Sequence, residues 1–259
     1  MSGTRLIIWD FDGTLAHRRG ETGWSILLAE ALDAEEPGHG HSADRFRPHL
    51  REGFPWHQPE VAHPELCEPE AWWASVRPVL GRAYEAAGYE PARALELADA
   101  ARRLYVDPKV GWELFGDTLP ALERLSQAGW THAILSNHVP ELRQIVAALG
   151  LDDLVPFLSC SAETGYEKPH AQAFASVLDP LRPVEAWMVG DNDVADVLGA
   201  EAVGIPAVLV RRPDPRAARY ADSLAGVEAF LSSLEASPAQ PATPGGKAKT
   251  PSASGAVAA

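Results

Sequence analysis

Hydrophobic positions along this chain fall into two rhythms. From Thr118 onward, stretches with apolar residues three and four apart alternate with short runs that are apolar throughout. "TLPALERLSQAG" has the helical rhythm, with Asp117 as its candidate cap and Gly129 as its stop. "PELRQIVAALG" repeats it, placing Leu142, Ile145, Val146 and Leu149 on one face, and "DVADVLGAEAVG" again closes on glycine. "HAILSN", "AWMVGD" and "PAVLV" have the second rhythm, as does Leu6 to Asp10, and read as strands buried on both faces. Strand and helix in alternation predict an α/β fold: a doubly wound, Rossmann-like parallel sheet with helices on each side.

Between His17 and Gly111 the pattern is helical, without a clear strand. Trp24, Leu27, Leu28, Ala31 and Leu32 share one helix face. Trp72, Val76, Val79, Leu80 and Ala83 share a second, in which Pro78 predicts a kink, and Leu97, Ala101, Leu104 and Tyr105 share a third. Residues 17–111 therefore read as a helical module inserted between a first core segment, 1–16, and a second, 112–236. Residues 237–259, rich in Ala, Pro, Ser and Gly, read as a disordered tail. Trp72 and Trp73, at helical spacing, read as packing residues. The stretch joining the first two helices is rich in Pro, Gly and His. Its His39, His41, His49, His57 and His63 have no compact ligand spacing, so a lid over a site is a better expectation there than a metal centre.

Composition narrows the partners. The 259 residues are 46% hydrophobic, enough for a large core. Lys and Arg number 22 against 36 Asp and Glu, a net charge of -14, which disfavours a nucleic-acid backbone as ligand. Cys67 and Cys160 have neither the number for a disulfide framework nor CxxC spacing. No long apolar segment follows a basic stretch near the start, so no membrane span is expected and a cytoplasmic location follows by default. Oligomeric state leaves no signature in the sequence.

In an open parallel sheet, ligands bind beyond the carboxyl ends of the strands. Asp10 and Asp12 follow the first strand in "DFDGT", Ser136 and Asn137 end another in "LSN", and Asp191, Asp193 and Asp196 follow a third in "GDNDVAD". Lys168 precedes a helix in "GYEKPH". Singly, each has an ordinary explanation as a helix cap or a solvated loop residue. Together they converge on one edge. Carboxylates so close together need a cation if all are to stay ionised, and Mg2+ suits them: it takes one or two carboxylates, keeps waters and shares a phosphate oxygen.

The run Asp10-Phe11-Asp12-Gly13-Thr14, then Ser136, then Lys168, then Gly190-Asp191 with Asp196 five residues on, resembles the four-part signature of the haloacid dehalogenase superfamily. The likeness spans about Leu6 to Val210, and the insertion after the first motif resembles the helical cap of that superfamily's first cap class. The resemblance implies Asp10 as a nucleophile that forms an aspartyl-phosphate, and Asp12 as acid and then base. It implies Ser136 and Lys168 on the phosphoryl oxygens, with Asn137, Gly13 and Thr14 beside them. It also implies Mg2+ held by Asp10, the carbonyl of Asp12 and Asp191, with Asp196 as an outer ligand or orienting group. Asp193 matches no position and reads as a helix cap.

Superfamily members that cleave carbon–halogen bonds lack an acid two residues after the nucleophile, because a leaving halide needs no proton; Asp12 therefore favours phosphate esters. Members acting on phosphonoacetaldehyde use a cap lysine, and none lies in the insertion before Lys109. The expectation is a Mg2+-dependent phosphomonoester hydrolase of a small phosphorylated metabolite. A phosphotransferase or mutase of the same superfamily, and a non-catalytic binding protein with this fold, are the alternatives. Arg18, Arg19, Arg45, Arg47, Arg51 and the His-rich loop are candidates for holding an anionic leaving group.

Overall fold

The computed structural model describes residues 3–20 and 23–236. The tail expected at 237–259 lies outside the described residues.

β1 (Arg5–Trp9) forms from an unbroken apolar run whose side chains alternate between two buried faces. Ile7 and Trp9 join one hydrophobic cluster and Leu6 and Ile8 the other, and all four are fully buried. Such a strand belongs in the middle of a covered parallel sheet. It pairs in parallel with a strand on each side, so that Arg5 stands level with Trp130 and Glu185.

The chain leaves the sheet through β2 (Ala16–Arg18) and passes through α1 (Trp24–Glu35), α2 (Ala43–Phe46), α3 (Pro69–Ala86), α4 (Pro91–Val106) and the short α5 (Pro108–Gly111). It returns through β3 (Trp112–Leu114), which pairs antiparallel with β2. This two-stranded ribbon is absent from the sequence reading, because three residues a side are too few to establish an alternation. The helices bury the faces that periodicity assigns them, including Leu27, Leu28, Leu32, Val76, Leu80, Leu97 and Ala101. Trp72 and Trp73 are buried packing residues, as expected. Pro78 lies within α3, which continues as one helix to Ala86. Arg77 grips Asp99 with two hydrogen bonds of 2.7 and 2.8 Å, joining α3 to α4, and Tyr84 donates to the Leu28 carbonyl at 2.8 Å, joining α3 to α1.

After β3 strands and helices alternate, with the expected strands at β4, β6 and β7: α6 (Thr118–Gln127), β4 (Trp130–Ser136), α7 (Leu142–Ala148), β5 (Phe157–Cys160), α8 (Ser161–Thr164), α9 (Ala171–Leu181), β6 (Glu185–Gly190), α10 (Gly199–Ala202), β7 (Ala207–Val210), β8 (Tyr220–Ala221) and α11 (Leu224–Ala236). The sheet order is β5-β4-β1-β6-β7-β8, with every pair parallel. The chain thus winds outward to one side of β1 and then to the other, which makes the carboxyl ends of β1, β4 and β6 the topological switch point. Among the described residues no helix is long and apolar enough to cross a membrane.

Two expected caps are corrected. Asp117 makes no side-chain bond to α6; its carboxylate accepts instead from the Leu224 amide at 2.8 Å and from Arg211 at 2.7 Å, tying the start of α11 to the loop after β7. Asp193 is not the cap of the turn after β6. Asn192 is, through bonds of 3.0 and 2.9 Å from Val194 and Ala195, and Asp193 pairs with Arg216.

Candidate active site

Three strand ends and one loop deliver the site. The amide of Asp10 still donates to the Val189 carbonyl at 2.9 Å, so the β1 ladder places this residue before the chain turns. The turn is tight: the Phe11 carbonyl accepts from the amides of Thr14, Leu15 and Ala16. Gly13 adopts φ 88°, and a Cβ there would lie 2.3 Å from an oxygen of Asp191. Gly190 is needed for the same reason, since its Cβ would fall 2.0 Å from Asp196. The two glycines let the backbones after β1 and β6 close around the carboxylates.

Asp10 is held on both oxygens. Its Oδ1 accepts from Ser136 Oγ at 3.1 Å and from Lys168 Nζ at 2.8 Å, and its Oδ2 accepts from Thr14 Oγ1 at 3.2 Å. Lys168 also donates to Asp196 at 2.6 Å, and the other oxygen of Asp196 accepts from the Asn192 amide at 3.0 Å. Burial alone would lower the Lys168 ammonium, but Asp10 and Asp196 outweigh it and raise its pKa, so the group stays charged. Asn137 clamps the backbone of Lys168: its Oδ1 accepts from the Lys168 amide at 2.7 Å and its Nδ2 donates to the carbonyl at 2.9 Å. Both polar ends of the Asn137 side chain are therefore engaged in placing Lys168. Thr14 is fully buried behind Asp10 and does not line the cavity, so it braces Asp10 where the sequence reading set it beside phosphate.

Asp12 is open to a cavity of about 770 Å3. Desolvation by the surrounding protein, and then the Asp10 charge, raise the Asp12 pKa to about 7. Asp191 is pushed to about 7 by burial and then by Asp10, and Asp196 to about 6 by burial, offset in part by Lys168. Asp10, Asp191 and Asp196 each offer an oxygen within 4.8 Å of the others. Three hard oxygen donors gathered this closely form a set that suits a divalent cation such as Mg2+, which favours ionised carboxylates.

The cavity extends from these groups toward α1, α4 and the His-rich segment, where Trp24, Tyr105, Trp56, Pro59 and Phe115 form its wall. Arg211 and Arg212, directly after β7, stand at its rim. Sequence reasoning missed them, although the strand-end rule that found Asp191 applies equally to β7. Arg211 takes a left-handed φ of 67°, fixed by its bonds to the Thr14 carbonyl and Asp117 and by stacking 3.6 Å over Phe115. Arg212 reaches Asp191 at 3.2 Å.

The five arginines proposed from sequence for an anionic leaving group do not line the cavity. Arg18 is buried against Glu30, Arg19 pairs with Glu113, Arg45 bonds the Ala86 carbonyl, Arg47 pairs with Asp44, and Arg51 is exposed. Of the His-rich segment, Trp56 and Pro59 reach the cavity while its histidines do not.

The chain is similar to known proteins. A 5-phosphatase of ribulose-1,5-bisphosphate from Halopiger xanaduensis is 38% identical over 122 residues, 46% of this chain and 50% of its own length. Phosphoserine phosphatase from Thermus thermophilus is 36% identical over 146 residues, 55% of this chain and 57% of its own length. The chain thus spans about half the length of these two relatives. The bovine haloacid dehalogenase-like hydrolase domain-containing protein 3 matches 89% of this chain and 90% of its own length at 27% identity. Among solved structures, HAD-hydrolase YfnB of Bacillus subtilis superposes with a TM-score of 0.66 at 19% identity, covering 89% of this chain and 100% of its own. At that identity the likeness speaks for the fold. Residues 4–204 match the family model for haloacid dehalogenase-like hydrolases, and the chain belongs to that family.

Proposed function

We propose that this protein is a metal-dependent phosphomonoester hydrolase of a small phosphorylated metabolite, acting through an aspartyl-phosphate. The observation that carries this reading is Asp12: an acid two residues beyond Asp10, open to the cavity, with a pKa near 7. Such a group can hold a proton for a leaving alkoxide and later accept one from water at neutral pH.

Asp10 would attack phosphorus in line through its carboxylate. Ser136 and Lys168, already bonded to Asp10 Oδ1, would exchange those bonds for equatorial phosphoryl oxygens as negative charge gathers there. Asp12 would protonate the departing oxygen and then take a proton from the water that attacks phosphorus, which frees Asp10. Asn137 would keep Lys168 on station through both of its backbone bonds. Asp10, Asp191 and Asp196 would hold Mg2+, with the carbonyl of Asp12 completing the protein's donors. When bound, the ion lowers the repulsion between a phosphate and the carboxylates around it. Residues 1–16, 17–111 and 112–236 would act as core, helical cap and core.

Relatives named as phosphatases support the reading. Transfer to a second alcohol is the competing outcome, since the same aspartyl-phosphate serves both. Acid-quenching a turnover mixture and reading the mass of the peptide that carries Asp10 tests the intermediate. A phosphoryl adduct at Asp10, with phosphate release insensitive to added alcohols, is expected. An adduct discharged mainly to added alcohols would replace hydrolysis by transfer, and an unmodified Asp10 under turnover would remove the intermediate.

A further inference from the structure

The chain has eight tryptophans, and their burial divides them. Trp9, Trp72, Trp73, Trp112, Trp130 and Trp187 are buried. Trp24 and Trp56 are only partly buried: each packs against the core, and both line the cavity. Leaving two large apolar rings partly in water is unfavourable unless something covers them. They come from distant segments, α1 and the His-rich stretch, yet lie stacked at 29° with centroids 6.1 Å apart. Each is also backed by another ring: Trp24 lies on Tyr105 at 4.6 Å and 15°, and Trp56 on Phe54 at 4.7 Å and 15°. Four near-parallel or tilted rings thus brace one another and fix the orientation of the wall.

The charges of the same wall are equally informative. Apart from Asp10, Asp12, Asp191 and Asp196, no carboxylate lines the cavity among the described residues. An ammonium group on the leaving portion of a substrate would find no counter-charge there. The two rim cations are both engaged, Arg211 by Asp117, the Thr14 carbonyl and Phe115, and Arg212 by Asp191. A second phosphate or carboxylate on the substrate would have to compete for them. Volume adds to this: about 770 Å3 is far more than a phosphoryl group fills and lies in the range of pockets that enclose whole organic ligands.

Resting on the phosphomonoesterase reading, we infer that the substrate's leaving group carries an uncharged flat aromatic or heteroaromatic ring that packs against Trp24 and Trp56. The ring would displace water from the exposed tryptophan area, and it would be held by apolar contact and offset stacking without a salt bridge. This assigns specificity to a wall that the helical segment supplies, separate from the residues that touch phosphorus.

The test uses the full chain with Mg2+ and alkyl phosphates of similar leaving oxygen: 2-phenylethyl phosphate, n-butyl phosphate, O-phosphoserine and a sugar bisphosphate. The expected result is a kcat/KM for the phenylethyl ester at least about tenfold above each of the others, expressed mainly in KM. Trp56→Ala should collapse that ratio and Trp56→Phe should keep most of it. Equal or better turnover of phosphoserine or the bisphosphate overturns the inference and leaves the hydrolase reading standing. Turnover of none of the esters counts against the hydrolase reading. The inference is then decided by tryptophan fluorescence with 2-phenylethyl phosphonate and n-butyl phosphonate as probes: tighter binding of the ring-bearing probe supports it, and equal binding overturns it.

Discussion

Asp10 and Asp12 stand two residues apart in one turn, and their surroundings separate them. Asp10 is anchored by Ser136, Lys168 and Thr14, whereas Asp12 is left open to the cavity with its pKa raised. Replacing Asp12 by Asn should therefore slow transfer of the phosphoryl group to Asp10 by about 10² to 10⁴ on an alkyl phosphate and much less on 4-nitrophenyl phosphate, whose leaving group needs no proton, while the later attack of water slows alike for both. Equal losses in the single-turnover rate of alcohol and nitrophenol release would contradict the assignment. Cation binding carries its own pH dependence. Asp191 and Asp196 hold protons up to about pH 7 and about pH 6, so a cation binding below those values must displace them. Calorimetry should show Mg2+ affinity falling from about pH 8 to about pH 5.5, with proton release growing as the pH drops. The quartet of site carboxylates was legible because strand ends are where an open sheet gathers chemistry. The detailed duties of Thr14 and Asn137 were not, since a hydroxyl or amide that braces a neighbouring residue and one that touches phosphate look alike in a string of letters.

At the scale of elements, the strands legible in sequence were those buried on both faces. β1, β4, β6 and β7 each contain an apolar run, Leu6–Trp9, Ala133–Leu135, Ala186–Val189 and Ala207–Val210, and each occurs where the pattern places it. β5 contains Ser159 and Cys160, β8 has two residues, and β2 and β3 have three each, so none offers a periodicity to read. Asp117 illustrates how tertiary structure redirects a local signal. It precedes a helix, as a cap should, but Arg211 and the Leu224 amide arrive from more than ninety residues away and take its oxygens. Although burial alone would raise it, these bonds hold the Asp117 carboxyl below its ordinary pKa. Asp117→Ala should cost about 1–3 kcal/mol, because it removes the acceptor of the first α11 amide, Leu224, and leaves the Arg211 guanidinium short of a partner. The measurable result is a melting temperature lower by several degrees, and an unchanged value would show that water replaces both bonds.

The whole molecule joins a sheet that holds the reactive groups to a helical segment that walls the cavity. Besides the β2–β3 ribbon, the segment is tied to the sheet side at Glu141, which accepts from Trp73 Nε1 and from Arg102, both at 3.0 Å. The His63 amide adds a bond of 2.7 Å to the Gly165 carbonyl, three residues before Lys168. Glu141→Ala should leave the buried Trp73 N–H without a partner, costing about 1–3 kcal/mol. If the wall orients substrate, the same change should raise KM more than it lowers kcat in steady-state assays; a kcat effect alone would point to disturbance of the reactive groups. The insertion was legible as helical because its apolar spacing is regular. Its wall was not, because Trp24 shares a face with core residues and only the folded chain shows which tryptophans are left partly uncovered.

The most direct measurement of the central claim is phosphate release from alkyl and aryl phosphates, with Mg2+ or with EDTA, by the wild-type chain beside Asp10→Asn. Release that needs the metal and disappears in the variant is the predicted result. Equal release by both proteins, or none from any ester with metal present, would contradict a phosphomonoesterase built on Asp10.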